Sequence, residues 1–143
     1  MCPTCIAFAT FGPDTLKELR AAFARADSAP HVNAFADMHD LGDALGQAGL
    51  ADPVMEMETI TLEYDTVVAI ARDLKAIGAV NTLPSRAKGL PGRARWGRMT
   101  EACERLRRNG SLPATYEVVY GHAWKVPPRT TADGHPVIAF APR

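Results

Sequence analysis

The chain has 143 residues, of which 47% are hydrophobic and 22% are charged, and these are ordinary proportions for one globular domain. No apolar stretch approaches the ~20 residues of a membrane-spanning helix, and the N-terminus lacks the basic and apolar regions of a signal peptide. Three cysteines, an odd number, do not make a disulfide framework, so we expect a cytoplasmic protein.

The zero net charge hides an uneven distribution along the chain. Residues 1–74 contain four basic and twelve acidic residues, whereas residues 75–143 contain twelve basic and four acidic residues. Eight of the basic residues fall between positions 86 and 108. Such asymmetry indicates an anionic partner for the second half of the chain. Charged residues on an exposed helix need no partner, however, and that interpretation also stays open.

The first predicted element is a strand that leads directly into a helix. An apolar run over residues 6–11 ends at Gly12, and Pro13 fits the first helical position because its missing N–H would have no partner there. The apolar residues that follow form one stripe at helical spacing: Leu16, Leu19, Phe23 and Ala26. In open α/β sheets, ligands bind beyond the carboxyl ends of strands of this kind.

A second helix and a long strand are predicted next. Asp37 is a suitable N-cap, because its carboxylate can accept the first free N–H groups of the helix, and Gly49 fits the left-handed position that closes it. Residues 54–64 alternate apolar and polar side chains, but the alternation changes phase near residues 58–59. The sequence therefore predicts a long, bent strand with a bulge at that point.

The remaining pattern predicts two helices, a loop and a strand. Asp65 would cap a helix ended by Gly78, and residues 81–92 form a loop rich in Gly, Pro and basic residues. A fourth helix has an arginine-rich face opposite its apolar residues, which are Trp96, Met99, Cys103 and Leu106. Residues 114–124 read as a strand, and the Pro-rich tail at 126–143 contains a turn signal typical of a short hairpin. The elements predict an α/β domain with few strands and four helices.

Five stretches resemble one family of enzymes. They are residues 9–20 (ATFGPDTLKELR), 30–33 (PHVN), 37–45 (DMHDLGDAL), 74–79 (LKAIGA) and 112–124 (LPATYEVVYGHAW). Together they are similar to the C-terminal half of the biotin-pathway malonyl-[acyl-carrier-protein] O-methyltransferases, which use S-adenosylmethionine and have a Rossmann-like sheet of seven strands. The resemblance covers residues 6–125 and implies three strands in the order fifth, seventh, sixth. It assigns residues 1–125 to the methyltransferase domain and 126–143 to a separate tail.

The methyl donor site of this family has no counterpart in the sequence. The family places S-adenosylmethionine on a Gly-rich turn after its first strand, and no Gly-x-Gly-x-Gly pattern occurs here. The nearest candidate, residues 42–49, lies in a predicted helix with no strand before it. The resemblance implies that this chain supplies the substrate-side half and is inactive alone. The alternative is a non-enzymatic remnant that binds acyl-carrier protein or a complementary chain.

The family's chemistry, methyl transfer to the malonyl carboxylate, indicates which residues to seek. An ionised carboxylate is already a nucleophile, so it needs a cation or hydroxyl that orients it rather than a general base. No catalytic residue is assigned. Candidates for substrate binding are Thr10 and Phe11 beyond the first strand, Arg72 and Lys75 on the third helix, and Tyr116 in the last strand. Each also has an ordinary interpretation as a strand end, a surface cation or a core residue.

The expected partners are acyl-carrier protein and a second copy of the chain. Arg98, Arg105, Arg107 and Arg108 would contact the acidic surface of a malonyl-loaded carrier protein. Nucleic acid is not expected, because the net charge is zero and no binding motif is recognised. Without a fourth strand beside it, the strand at residues 6–9 would have an unpaired edge, and we expect two copies to pair through it.

The other chemically suggestive residues are given structural interpretations. Cys2 and Cys5 have Cys-x-x-Cys spacing, but they precede a strand instead of opening a helix, and a structural zinc site needs four ligands. We therefore treat the pair as incidental and predict no metal site. His31, Asn33 and His39 lie in the family-like stretches, where hydrogen-bonded structural roles are the more common ones.

Overall fold

A computed structural model describes residues 4–26, 31–79 and 92–125 of the chain. The elements follow in the order β1 (Cys5–Phe11), α1 (Lys17–Ala26), α2 (Met38–Gln47), β2 (Leu50–Tyr64), α3 (Val67–Ala76), α4 (Arg93–Glu104) and β3 (Leu112–Lys125). The predicted α/β class, with three strands and four helices, is confirmed. The predicted tail hairpin, most of the Gly- and Pro-rich loop and Cys2 lie outside the described residues.

Strand β3 lies in the centre of the sheet. The strand order is β1-β3-β2, which agrees with the predicted order fifth, seventh, sixth, and β3 is antiparallel to both neighbours. β1 and β2 are therefore parallel to each other, and their carboxyl ends lie at the end of the sheet where β3 begins. Within the described residues β1 has no neighbour on its outer side, and the Ile6 side chain is 45% exposed.

The bulge in β2 lies at the start of the strand. Pairing with β3 keeps one register throughout 54–64 and shifts between Ala51 and Val54. Asp52 has a φ of 49° there, and Pro53 follows it. The bulge predicted at residues 58–59 is therefore wrong. Proline donates no hydrogen bond to a sheet and is tolerated at a bulge on an edge strand, so the local break falls at this residue.

The phase change in β2 has another cause, which is that neither face of the strand is fully covered. Met57 and Ile60 lie on opposite faces and are 47% and 40% exposed. Helix α2 covers one face near Met55, whose Cγ would be 3.5 Å from a Cβ on Gly42. The other face is covered at Tyr64, which packs against the core. With contacts only near its ends, the strand needs no single apolar face.

Helix α1 begins four residues later than the sequence predicted. The interpretation of Pro13 as the first helical residue is wrong, because residues 13–16 form a turn and the helix starts at Lys17. Leu16 is buried and has a φ of 55°, which a regular helix does not allow. The turn is held by hydrogen bonds to β3 that no local pattern reveals.

The helix caps were predicted correctly in one case out of two. Asp37 caps α2, and its Oδ1 accepts the His39 backbone N–H at 2.7 Å. That hydrogen bond lowers the pKa of the Asp37 carboxyl, and the hydrogen bond from the His39 side chain lowers it further. The cap of α3 is Thr66 and not the predicted Asp65, since Thr66 Oγ1 accepts the Ala69 N–H at 3.2 Å.

Helices α1, α3 and α4 pack together at the end of the sheet where β3 begins. Their buried core consists of Ala22, Ala26, Val67, Ile70, Met99, Ala102, Cys103 and Leu112. Burial raises the pKa of the Cys103 thiol to about 11, so this cysteine stays protonated and unreactive at neutral pH. Among the described helices, none has the length and apolar character required to cross a membrane.

Candidate functional site

The three packed helices enclose a cleft beside the carboxyl ends of β1 and β2. It comprises two adjoining cavities of about 290 and 100 Å³ that share four lining residues. We call it the helical cleft. The lining residues are Leu16, Leu19 and Phe23; His31, Val32, Asn33 and Phe35; Val67, Ile70, Ala71, Leu74, Lys75 and Ala79; and Trp96 and Met99.

The helical cleft has an apolar floor and a rim that carries positive charge. Ile70 and Met99 form part of its floor and are almost completely buried, whereas Trp96 is 38% exposed. Among the described residues that line the larger cavity, Lys75 and His31 are the titratable ones, and none is a carboxylate. This combination favours a ligand that is mainly apolar and carries a negative charge.

One wall of the cleft is fixed by His31. Its ring stacks on Phe23 with centroids 4.0 Å apart and planes inclined by 17°. Nε2 of His31 lies 2.8 Å from Nη2 of Arg95, and because arginine can only donate, this imidazole nitrogen accepts. His31 therefore has the structural role that the sequence favoured, and it joins α1 to α4.

The turn that connects β1 to α1 is held by β3. Glu117 is 8% exposed, and its Oε2 accepts the Asp14 N–H at 2.7 Å. The Glu117 carbonyl accepts the Gly12 N–H at 2.9 Å and the Thr15 hydroxyl at 3.0 Å. Thr15 Oγ1 in turn accepts the Glu117 N–H at 3.1 Å. This role of Glu117 was not predicted from the sequence, although a charged residue in the middle of an apolar strand was a signal.

The space in front of Gly12 is filled by the same carboxylate. A Cβ on Gly12 would lie 2.5 Å from Glu117 Cδ and 2.6 Å from its Oε1. The glycine is therefore needed for close packing inside the protein and does not open a cradle for a ligand. The residues of this turn do not fit S-adenosylmethionine, and the other described strand-to-helix turn, at residues 65–66, has no glycine.

Two of the predicted substrate-binding residues come together. The rings of Phe11 and Tyr116 are 6.0 Å apart, and Phe35, which the sequence did not single out, lies 5.8 Å from Phe11 on another side. Burial raises the pKa of the Tyr116 hydroxyl, so it is neutral at physiological pH. Thr10 pairs with Val119 and lies on the opposite face of β1, away from this aromatic cluster.

The two predicted cations on α3 are in different positions. Lys75 lines the helical cleft, whereas Arg72 is exposed and does not line it. Within the parts of the chain that the structure describes, neither side chain forms an ion pair. Lys75 is therefore the better placed of the two to meet an anionic ligand in the cleft.

The predicted arginine cluster divides into structural and exposed members. Arg98 donates from Nε and Nη2 to the carbonyl of Ala26, at 3.3 and 3.2 Å, and so supports the end of α1. Arg107 donates to the carbonyls of Asp65 and Gly110 at 3.0 and 2.7 Å. Nε of Arg107 also forms a salt bridge with Oε2 of Glu104 at 2.7 Å.

The other two arginines lie beyond the helix. Because α4 ends at Glu104, the predicted arginine face on this helix is wrong for the residues that follow it. Arg105 is the C-cap and donates to Glu101 at 2.6 Å on an exposed surface. Arg108 is exposed and exchanges backbone hydrogen bonds with Ser111. Positive charge at this end of a helix also complements its dipole.

Metal binding finds no support in the described residues, which contain no group of three His, Cys, Asp or Glu side chains able to hold an ion. Cys5 is an exposed free thiol at the start of β1.

Comparison with known proteins gives strong matches, two of which share one name. The malonyl-[acyl-carrier protein] O-methyltransferase of Gallionella capsiferriformans is 60% identical over 131 residues, which are 92% of this chain and 45% of that protein. The enzyme of the same name from Laribacter hongkongensis is 60% identical over 138 residues, 94% of this chain and 46% of that protein. The chain spans about half the length of the curated relatives it matches. No family model matches it.

The packing at Gly12 leads to a stability prediction. Gly12→Ala should lower the free energy of unfolding by about 1–3 kcal/mol, because the added Cβ would displace the Glu117 carboxylate. Gly97→Ala is the matched control: nothing lies within 4 Å of a Cβ there, and alanine should raise helix stability by about 0.5–1 kcal/mol. Urea denaturation of both variants provides the measurement. Equal stability of the two variants would contradict the packing at Gly12.

Proposed function

We infer that this chain, which is homologous to the malonyl-[acyl-carrier protein] O-methyltransferases over about half of their length, acts as the substrate-side half of such an enzyme in biotin precursor synthesis. The observation that supports this most is 60% identity over more than nine tenths of the chain. The helical cleft agrees with it, because it lies beside the carboxyl ends of β1 and β2, where α/β folds bind substrates.

In this proposal the chain binds and orients the malonyl group. An ionised carboxylate needs no proton removed before it accepts a methyl group, so the protein's task is to hold it in place. Lys75 is the residue we assign to that task, since it lines the cleft and lacks an ion pair with any described residue. The Phe11 and Tyr116 rings provide a rigid, uncharged surface nearby.

A second candidate function is favoured by the Gly12 turn. Because Glu117 fills the space beside it, the described residues offer no cradle for S-adenosylmethionine. The chain alone would then bind acyl-carrier protein or a complementary chain without catalysing methyl transfer. The odd number of cysteines and the free thiols of Cys5 and Cys103 fit a reducing cytoplasm as its location.

The first functional prediction is that the isolated chain does not bind the methyl donor. Isothermal titration should give no binding heat with S-adenosylmethionine at millimolar concentrations, and malonyl-loaded carrier protein should remain unmethylated. Addition of the N-terminal half of the Laribacter hongkongensis relative should produce methylation, since the two parts together would provide binding sites for both substrates. Micromolar donor binding by this chain alone would contradict the assignment.

We also propose that Arg105 and Arg108 guide the carrier protein to the cleft. Both are exposed and lie at the end of α4, the helix that contributes Trp96 and Met99 to the cleft. Arg98 and Arg107 belong to the same surface, but their guanidinium groups hold backbone carbonyls. Charges arranged in this way increase the association rate with an acidic protein and are screened within about 8 Å at physiological ionic strength.

The charge prediction therefore uses the two exposed arginines and leaves the structural ones intact. Arg105→Glu/Arg108→Glu should reduce affinity for malonyl-loaded acyl-carrier protein at least tenfold at low salt, about 1.4 kcal/mol. Affinity of the unchanged chain should fall as salt rises. Arg25→Glu/Lys125→Glu, which alters the net charge equally at other exposed positions, should have little effect. Surface plasmon resonance that gives the same affinity for both double variants would contradict the proposed docking surface.

The third proposal is a homodimer formed through β1. This strand has one free edge among the described residues, and a row of unpaired N–H and C=O groups is a template for another strand. Antiparallel pairing about a twofold axis at Phe8, the middle residue of β1, would pair all seven residues of the strand. It would place Ala7 of one copy opposite Ala9 of the other and give a continuous sheet of six strands.

Charge pairs across the axis provide the test of the dimer. Ala7→Lys/Ala9→Lys places like charges opposite each other and should give a monomer, whereas Ala7→Lys/Ala9→Glu places opposite charges together and should keep the dimer. Both positions are exposed in the single chain, so the substitutions should leave the fold intact. Light scattering at tens of micromolar measures the mass. A monomer for the unchanged chain would refute the proposal.

A further inference from the structure

We propose that the helical cleft binds the thioester arm through which a carrier protein presents its acyl group, and that Lys75 selects an acyl group ending in a carboxylate. This inference rests on the proposed function and assigns the substrate contacts within it. The relatives are named for a malonyl group on acyl-carrier protein, whereas nothing in those names says where the arm lies.

The shape and chemistry of the cleft fit such an arm. Its larger cavity is about 290 Å³, near the lower end of the range for small-molecule sites, which suits a narrow chain better than a broad ring system. Ile70 and Met99 provide buried apolar contacts. Trp96, partly exposed at the cleft, offers a flat surface for the methylene and amide groups of an extended chain.

The charged residues of the cleft determine which acyl groups it prefers. The lining of the larger cavity, within the part of the chain that the structure describes, includes Lys75 and His31 but no Asp or Glu. His31 Nε2 already accepts from Arg95. Lys75 has no ion pair in the described parts of the chain, so among the described lining residues its ammonium group is the one available for a carboxylate. An acyl group without a terminal carboxylate would leave that ammonium group unpaired.

The position of the cleft relative to the arginines supports an arm attached to a protein. Arg105 follows Trp96 by nine residues on α4 and its C-cap, which corresponds to about 14 Å along the helix axis and about two and a half turns. A carrier protein docked at Arg105 and Arg108 would therefore lie at the end of α4, on the side of the helix opposite Trp96. A flexible arm could pass around the helix to reach the cleft, whereas a free acid would gain nothing from a docking surface at this distance.

The experiment measures binding of two synthetic probes, malonyl-pantetheine and acetyl-pantetheine, to the full chain by isothermal titration. The unchanged chain should prefer malonyl-pantetheine by about tenfold, as expected for one charge-assisted hydrogen bond. Lys75→Met should remove that preference, and Arg72→Met, on the same helix but outside the cleft, should keep it. Ala71→Phe, which fills the cleft, should weaken both probes at least tenfold. Ala76→Phe is its control on the exposed side of α3.

Each result supports or overturns the inference. Equal binding by the Ala71→Phe and Ala76→Phe variants, or a malonyl preference that persists in Lys75→Met, would overturn it. Circular dichroism of all four variants identifies any loss of fold, and in that case Ala71→Leu replaces Ala71→Phe as the smaller filling substitution. If malonyl-loaded carrier protein binds the chain but neither probe does, the cleft assignment fails while the proposed function stands. If neither the carrier protein nor the probes bind, both fail.

Discussion

The hydrogen bonds between β3 and the turn after β1 are the constraint on which the arrangement of this chain depends. Glu117 holds the turn through hydrogen bonds of its backbone and its carboxylate to Asp14 and Thr15. A second contact at the same place joins Glu18 of α1 to the Thr115 N–H and hydroxyl. Because α1 leaves the sheet from this fixed point, its direction is set by β3, and α1 then forms one wall of the helical cleft. The position of the helical cleft therefore depends on the sheet.

Features that depend on local chemistry could be predicted from the sequence. Asp37 caps α2 because its carboxylate accepts a backbone N–H of the first helical turn. Gly49 has the left-handed conformation that was expected of it, with a φ of 75°. Features that depend on distant contacts could not. The start of α1 is set by Glu117, more than a hundred residues away in sequence. The phase change in β2 reflects incomplete coverage of an edge strand, a property of the fold and not of the strand.

The candidate site shows the same division. Phe11 was predicted just beyond the first strand and is instead its last residue, whereas Tyr116 lies in the last strand as predicted. The structure places the two rings together because β1 and β3 are neighbours. Arg72 and Lys75 were both candidate cations on α3, with Lys75 inside a family-like stretch, and of the two Lys75 lines the cleft. Arg98 and Arg107 resemble partner-binding residues until their hydrogen bonds to backbone carbonyls are seen. Charge type and spacing identify candidate residues, and their hydrogen bonds in the structure show which of them also support the fold.

The central claim is that this chain is the part of a methyltransferase that receives the malonyl-loaded carrier protein. Nuclear magnetic resonance tests it most directly, by following the backbone amides of the ¹⁵N-labelled chain as malonyl-loaded acyl-carrier protein is added. The account predicts that the amides that shift belong to α3, α4 and residues 31–36, while those in the middle of β2 remain unchanged. The contradicting result is an absence of shifts at millimolar carrier protein, or shifts confined to β2 and the outer face of α2.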